Sequence, residues 1–160
     1  NAGRCVHKAA LDATVPGTIY QQNHMGLYRT SNAGDSWTTM EEGLSDTFGF
    51  AMAAHPSKTG VLWIVPVQGD TFRAPSGGKM RVLKSLDGGS SWRDASSGLP
   101  SENAYAAPLR EGMAVDEAEP LGVYVGMKSG TIYGSTDEGE SWGVVIETLP
   151  PILSVEAAAI

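Results

Sequence analysis

Three copies of one eight-residue pattern constrain this chain more than any other feature. They read Thr30-Ser-Asn-Ala-Gly-Asp-Ser-Trp37, Ser85-Leu-Asp-Gly-Gly-Ser-Ser-Trp92 and Ser135-Thr-Asp-Glu-Gly-Glu-Ser-Trp142, spaced 55 and 50 residues apart. Internal periods of this size belong to chains built from repeated supersecondary units stacked side by side.

Aligning the segments on these repeats gives each unit four short apolar runs with turn residues between them. The first reads Val6–Leu11, Thr18–Gln22, Gly26–Arg29 and Trp37–Met40; the second Phe50–Ala54, Val61–Val65, Met80–Leu83 and Trp92–Asp94; the third Met113–Asp116, Gly122–Gly126, Thr131–Gly134 and Trp142–Ile146. Pro16, Pro56 and Pro120 interrupt the connection after each first run, and twenty Gly among 160 residues suit many tight turns. Short β-branched and aromatic strands at this spacing predict an all-β fold, a β-propeller of four-stranded antiparallel blades. The blades are expected near 4–42, 48–97 and 106–148, with an extra strand at 152–160 after Pro150-Pro151.

Each repeat falls in the turn between third and fourth strands, where it reads as a fold staple. The short side chain of Asn32, Asp87 or Asp137 accepts backbone N–H groups, Gly34, Gly89 or Gly139 supplies a positive φ, and the ring of Trp37, Trp92 or Trp142 covers the hairpin. Ser31, Ser85 and Ser135 are taken with them as the hydroxyl members. Asn32 keeps the acceptor but loses the charge, which suits hydrogen bonding better than catalysis.

The pattern Ser/Thr-x-Asp-x-Gly-x-x-Trp at blade spacing resembles the Asp-box, or bacterial neuraminidase repeat, of sialidases, sortilin-type receptors and photosystem-assembly-factor-like propellers. The resemblance runs through the whole chain and implies the fold, while the breadth of that group leaves the chemistry open. Propellers carry about 4–8 blades. Three blades and a surplus strand therefore imply either a section of a longer propeller or a homo-oligomer, such as a dimer, that buries the exposed blade faces.

Eleven basic against eighteen acidic residues give a net charge of −7, which argues against a nucleic-acid partner. No apolar run approaches the ~20 residues of a membrane span, so the chain reads as soluble. The single Cys5 offers no internal disulfide and fits a cytoplasmic home. The start Asn1-Ala-Gly-Arg4 lacks an initiator Met and a signal pattern, which reads as a processing point or the edge of a piece.

Antiparallel strands alternate their connections between two faces, so departures from the repeat collect opposite the boxes. Gln21-Gln-Asn-His24 lies there, with the long insertion Gln68–Lys79 and the blade starts that carry Arg4, His7, Tyr105, Arg110 and Glu111. Arg4, Gln22, Asn23, His24, Arg110 and Glu111 are therefore the candidate ligand-binding residues, for a glycan, a small anion or a protein loop. Simpler readings stand beside this one. His7 suits a satisfied core histidine, Gln21 to His24 a turn cap, Arg110 and Glu111 a mutual ion pair, His55-Pro56 a turn, and Cys5 a small buried residue. The resemblance to sialidases implies an alternative, a glycoside hydrolase with Arg4, Arg73 and Arg110 as the arginine cluster and Tyr105, Glu111 and Asp70 as companions. Phe72-Arg-Ala-Pro75 echoes a sialidase motif but falls between the first and second boxes, out of the family's order. A third alternative is a purely structural, self-assembling propeller. Scattered His and a single Cys show no metal-ligand spacing, so no metal and no cofactor are expected.

Overall fold

A computed structural model describes residues 2–158. It contains three four-stranded antiparallel sheets in the orders β1-β2-β3-β4, β5-β6-β7-β8 and β9-β10-β11-β12. Their bounds are β1 Val6–Leu11, β2 Ile19–Asn23, β3 Gly26–Thr30, β4 Thr38–Thr39, β5 Phe48–Ala54, β6 Leu62–Val67, β7 Leu83–Ser85, β8 Arg93–Asp94, β9 Pro108–Val115, β10 Val123–Met127, β11 Ile132–Ser135 and β12 Gly143–Ile146. These are propeller blades, and the first strands β1, β5 and β9 pack beside one another. Among the described residues there is no α-helix, only a single 3₁₀ turn at Ser76–Gly78. No helix there is long and apolar enough to cross a membrane.

The two-residue period of a strand sends alternate side chains of the middle blade into two separate cores. Met52, Leu62 and Ile64 face the first blade and pack with Tyr20, Leu27 and Met40. Ala51, Ala53, Trp63 and Val65 face the third blade and pack with Met113, Val123, Val125 and Trp142. Strand β6 is consequently buried along its whole length, whereas β12 is exposed at every position.

The extra strand expected at 152–160 is reduced to a single parallel bridge between Ser154 and Glu111, closed by Val155 N–H donating to the Glu111 carbonyl at 2.8 Å. Residues 159 and 160 lie outside the described part. The parallel direction matches a first strand laid beside β9. Glycine Gly126 leaves room for this segment, since a Cβ there would stand 2.4 Å from Ile152 and 2.6 Å from Val155.

The repeats are hydrogen-bonded turns, as their chemistry predicts. In the third blade, the Asp137 carboxylate accepts the Glu140 and Ser141 N–H groups at 3.0 and 2.9 Å and the Ser135 hydroxyl at 2.6 Å. Asp87 repeats this with Ser91 and Ser85. Asn32 keeps its oxygen as acceptor for Ser36 N–H at 3.0 Å and turns its NH₂ toward the Ser36 hydroxyl. The hydroxyl member of the first repeat is Thr30, not Ser31. Thr30 Oγ1 accepts Gly34 N–H at 3.0 Å, as Ser85 does from Gly89 and Ser135 from Gly139 at 2.8 Å, and Ser31 is exposed.

The tryptophans reach further than their own hairpins. Trp92 Nε1 donates to the Met40 carbonyl at 2.9 Å and Trp142 Nε1 to the Ala95 carbonyl at 2.7 Å, each on the preceding blade. Trp37, in the first described blade, bonds the Gly34 carbonyl within its own turn at 3.0 Å. Glycine at the centre of the repeat permits the same approach: with φ of 82°, Gly139 sits where a Cβ would stand 2.6 Å from the Trp63 indole nitrogen. Lys84 adds a strut, its buried ammonium donating to the Glu138 carbonyl at 2.8 Å and Glu140 at 2.9 Å while lying over Trp63.

A second capping position, at the end of each first strand, carries Asp12, His55 and Asp116. Asp12 accepts Thr14, Val15 and Gly60 N–H groups and the Tyr20 hydroxyl; Asp116 accepts Ala118 and Gly122 N–H groups and the Tyr124 hydroxyl. In the middle blade His55 Nδ1 accepts Ser57 and Lys58 N–H groups at 3.1 and 3.2 Å, its ring stacked on Trp63. A nitrogen that accepts two N–H groups cannot also carry a proton, and burial further lowers the His55 pKa from 6.5.

Two predictions follow from these contacts. Trp142→Phe orphans the Ala95 carbonyl and should cost about 2 kcal/mol or more in urea unfolding, against about 1 kcal/mol or less for Trp37→Phe. Equal losses at the two sites would refute the inter-blade role. The unfolded chain protonates His55 before the folded one does, so stability is complete above pH 6.5 and declines as pH falls below it. His55→Asn, which keeps an acceptor but does not titrate, should shrink that decline in thermal midpoints. Part should persist, because burial also lowers His7.

Candidate functional site

The start of each first strand meets the second-to-third-strand loops on the face opposite the repeats, and a cluster of aromatic, imidazole and guanidinium groups forms there. Phe48 and Phe50 rise from β5 on alternate residues and, with Val67 and Ala107, make a small buried core beneath the surface. His7 of β1 packs against both rings, 5.2 Å from Phe48 and 4.7 Å from Phe50 between centroids. His24, just past β2, meets Phe48 edge-on and lies 5.8 Å from His7.

The hydrogen bonds fix both imidazoles. His7 Nδ1 donates to the Gly49 carbonyl at 2.7 Å, and His24 Nε2 donates to Asp70 Oδ2 at 3.0 Å. Burial holds His7 below the usual imidazole range, against the Gly49 bond, which favours its charged form. The bonds from His24 and Thr71 hold Asp70 below the usual carboxylate range. Arg73 and Arg110 place their guanidinium carbons 5.3 and 5.6 Å from the Phe50 ring centre, an arrangement in which cations meet the negative ring face.

The six expected ligand-binding residues divide into two groups. Arg4, Arg110 and Glu111 are exposed and His24 is partly exposed. Gln22 and Asn23 are fully buried. Gln22 Nε2 donates to the Thr47 carbonyl at 3.4 Å, and Asn23 donates to the Ala2 carbonyl and accepts Met25 N–H, both at 2.7 Å. Asn23 thus caps its own turn, whereas Gln22 reaches from β2 to the segment before β5 and its buried Oε1 has no hydrogen-bond partner among the described residues. Glu111 pairs across the sheets with Lys8 and not with its neighbour Arg110. Of the three arginines considered as a carboxylate clamp, Arg73 and Arg110 converge while Arg4 does not join them at Phe50. Cys5, expected to be buried, is exposed and holds a positive φ of 50°. The scattered residues Cys5, His7 and His24 are brought together, with one ligand atom from each lying within 4.8 Å of the others.

Sequence reasoning passed over Phe48 and Phe50. Alternation at the head of an inner strand was the available signal, since both side chains point to the face where His7 emerges. Tyr105 is 61% exposed, and its ring lies on the backbone of Gly78, where a Cβ would stand 2.9 Å from the ring. It borders a concavity of about 140 Å³ shared with Met80, Ala104, Met127 and Tyr133. A larger groove of about 460 Å³ lies on the repeat face between the first two blades, lined by Tyr20, Arg29 and Asp87 among others. Those polar groups are spent within the fold: Tyr20 on Asp12, Arg29 on the Gly88 carbonyl, and Asp87 on Ser85 and Ser91.

No model of a known protein family matches the chain. A xyloglucanase of Hypocrea jecorina (strain QM6a) is 31% identical over 140 residues, which are 81% of this chain and 16% of the relative. Among solved structures, the GH74 xyloglucanase of Xanthomonas campestris superimposes with a TM-score of 0.67 at 20% identity, over 89% of this chain and 21% of that one. YCF48 bound to D1 peptide superimposes with a TM-score of 0.56 at 16% identity, over 92% of this chain and 42% of that one. The chain thus spans a small part of the relatives it matches. What it shares with the solved structures is the architecture, and the chain has the fold of β-propeller blades.

Proposed function

We propose that this chain is a three-blade section of a larger propeller that binds polysaccharide of the xyloglucan class on the face opposite the repeats. The observation that carries the reading is Tyr105, an exposed ring braced from behind by Gly78 and bordering a concavity. Such a ring offers a flat apolar surface to a sugar at low entropic cost, and Arg73 and Arg110, over Phe50 on the same face, are further donors for sugar hydroxyls. The 31% identity to a xyloglucanase supports a glycan over a peptide. The repeats are read as Asp-boxes, supported by carboxylate-centred turns at Asp87 and Asp137. Further blades, in the same chain or another copy, would cover Val144, Val145 and Ile146, which are 44–59% exposed on β12.

Binding is favoured over cleavage by these blades alone because of the state of the carboxylates. A glycosidase needs one carboxyl group with a raised pKa as acid, and a second about 5–5.5 Å away for retention or about 6.5–9.5 Å away for inversion. Asp70 is shifted in the opposite direction by His24, and Glu111 is engaged by Lys8. Asp70 therefore suits an acceptor or base, and an acid would come from outside the three blades.

Titration calorimetry with xyloglucan oligosaccharides tests the reading. Tyr105→Ala should weaken binding by about tenfold, equivalent to about 1.4 kcal/mol, with the thermal midpoint nearly unchanged. Leu86→Ala, on the repeat face, should leave affinity alone. Absence of binding by the unaltered chain, or equal effects of the two substitutions, would reject the site. Gly78→Ala should act on both properties: φ is +68° and the new methyl would meet the Tyr105 ring, so it should lower stability by about 1 kcal/mol and weaken the same ligand.

A further inference from the structure

The imidazoles on this face are arranged in a way that sugar binding does not require. His7 is bonded through Nδ1 to a backbone carbonyl and His24 through Nε2 to a carboxylate, which leaves the opposite ring nitrogen of each for another partner. That is the outer arrangement of metal-bound histidines, in which the distal N–H is held by a carbonyl or carboxylate that fixes tautomer and ring plane. Cys5 joins them, its ligand atom and theirs lying within 4.8 Å of one another. Cys5 also adopts a positive φ of 50°, a backbone conformation that a non-glycine residue holds only when its surroundings impose it.

We infer that Cys5, His7 and His24 form a three-ligand site for a thiophilic divalent transition metal, Zn²⁺ being the natural occupant, with Asp70 and the Gly49 carbonyl as outer partners. One thiolate and two neutral imidazoles suit a borderline-soft ion and exclude Mg²⁺ and Ca²⁺, which require oxygen donors. Three protein ligands leave a fourth tetrahedral position for water or an exogenous ligand. Arg73 and Arg110 flank the cluster over Phe50 and oppose a dication. The Cys5 thiolate and the Asp70 carboxylate supply two negative charges against it, and the same guanidinium groups favour an anion in the open position.

The site rests on both ends of the first blade's inner hairpin. Cys5 and His7 are separated by one residue at the head of β1, and His24 follows β2, whose last residue, Asn23, pairs with Val6. His24 N–H also donates to the Cys5 carbonyl at 3.2 Å, so the two ligands are tied through the backbone as well. Asp70 comes from the long insertion of the middle blade, which gives that loop a positioning role beside the first blade.

Cobalt substitution of the untagged 160-residue chain, stripped with a chelator, provides the test. Titration with Co²⁺ should saturate at one ion per chain with a thiolate-to-cobalt charge-transfer band and the visible bands of a tetrahedral centre, and Zn²⁺ should displace it. Cys5→Ser should abolish the charge-transfer band, and His24→Ala should weaken binding at least tenfold. Asp70→Asn should weaken binding about 10- to 100-fold while preserving the spectrum, which marks it as a positioning residue and not a ligand. Circular dichroism melts of each variant establish that the fold is retained. A folded parent chain that gives no charge-transfer band, a band that survives Cys5→Ser, or an unchanged Co²⁺ affinity in His24→Ala would overturn the assignment, whatever the outcome with xyloglucan.

Discussion

The bond from a repeat tryptophan to a carbonyl of the preceding blade is the contact on which the rest of the architecture depends. A blade of four short strands has two apolar faces and cannot bury either alone. Trp92 and Trp142 solve the docking geometry, because an indole carries both a large apolar ring and one directional donor. The ring fills the space between sheets, and Nε1 fixes which backbone carbonyl it meets, Met40 in one case and Ala95 in the other. The box glycine belongs to the same device, since any side chain at Gly139 would collide with Trp63 across the junction.

This docking explains why the two faces of the disc differ. The repeat face concentrates carboxylates and hydroxyls, but nearly all of them are acceptors for turn N–H groups. Asp137 illustrates the consequence: burial pushes its pKa up, yet the Ser135 and Ser141 bonds prevail and bring it down to about 2, so it stays ionised at neutral pH as a structural anion. A net charge of −7 therefore says little about the opposite face, where Arg73 and Arg110 stand over Phe50. Local potential decides what a concavity attracts, and the acids that dominate the total are committed elsewhere.

Much of the fold is legible in the sequence because its determinants are local. The repeats, the turn glycines and the two-residue alternation each act within about ten residues, and they place the three sheets. The details that escape are those set across blades. Ser31 looks like the hydroxyl of the first box, but register along β3 gives that role to Thr30. The last strand is a single bridge to β9, with Ile152 N–H donating to the Met127 carbonyl beside it. Asp12, His55 and Asp116 form a second repeated cap that sequence alone hides, since a histidine replaces the carboxylate in the middle blade, where Trp63 replaces the tyrosine of the other two.

The site is the least legible part, for the same reason. Gln22 and Asn23 have the composition of a ligand-binding loop, but β2 runs one residue further than its apolar pattern indicates and draws both amides inside. Cys5, His7 and His24 have no spacing that a linear motif describes; they meet because β1 and β2 are antiparallel and their ends coincide. Adding Asp70 requires the middle blade to dock at the correct angle. His24 therefore meets Asp70 only once the middle blade has docked on the first, a junction to which the bond from Trp92 to the Met40 carbonyl contributes.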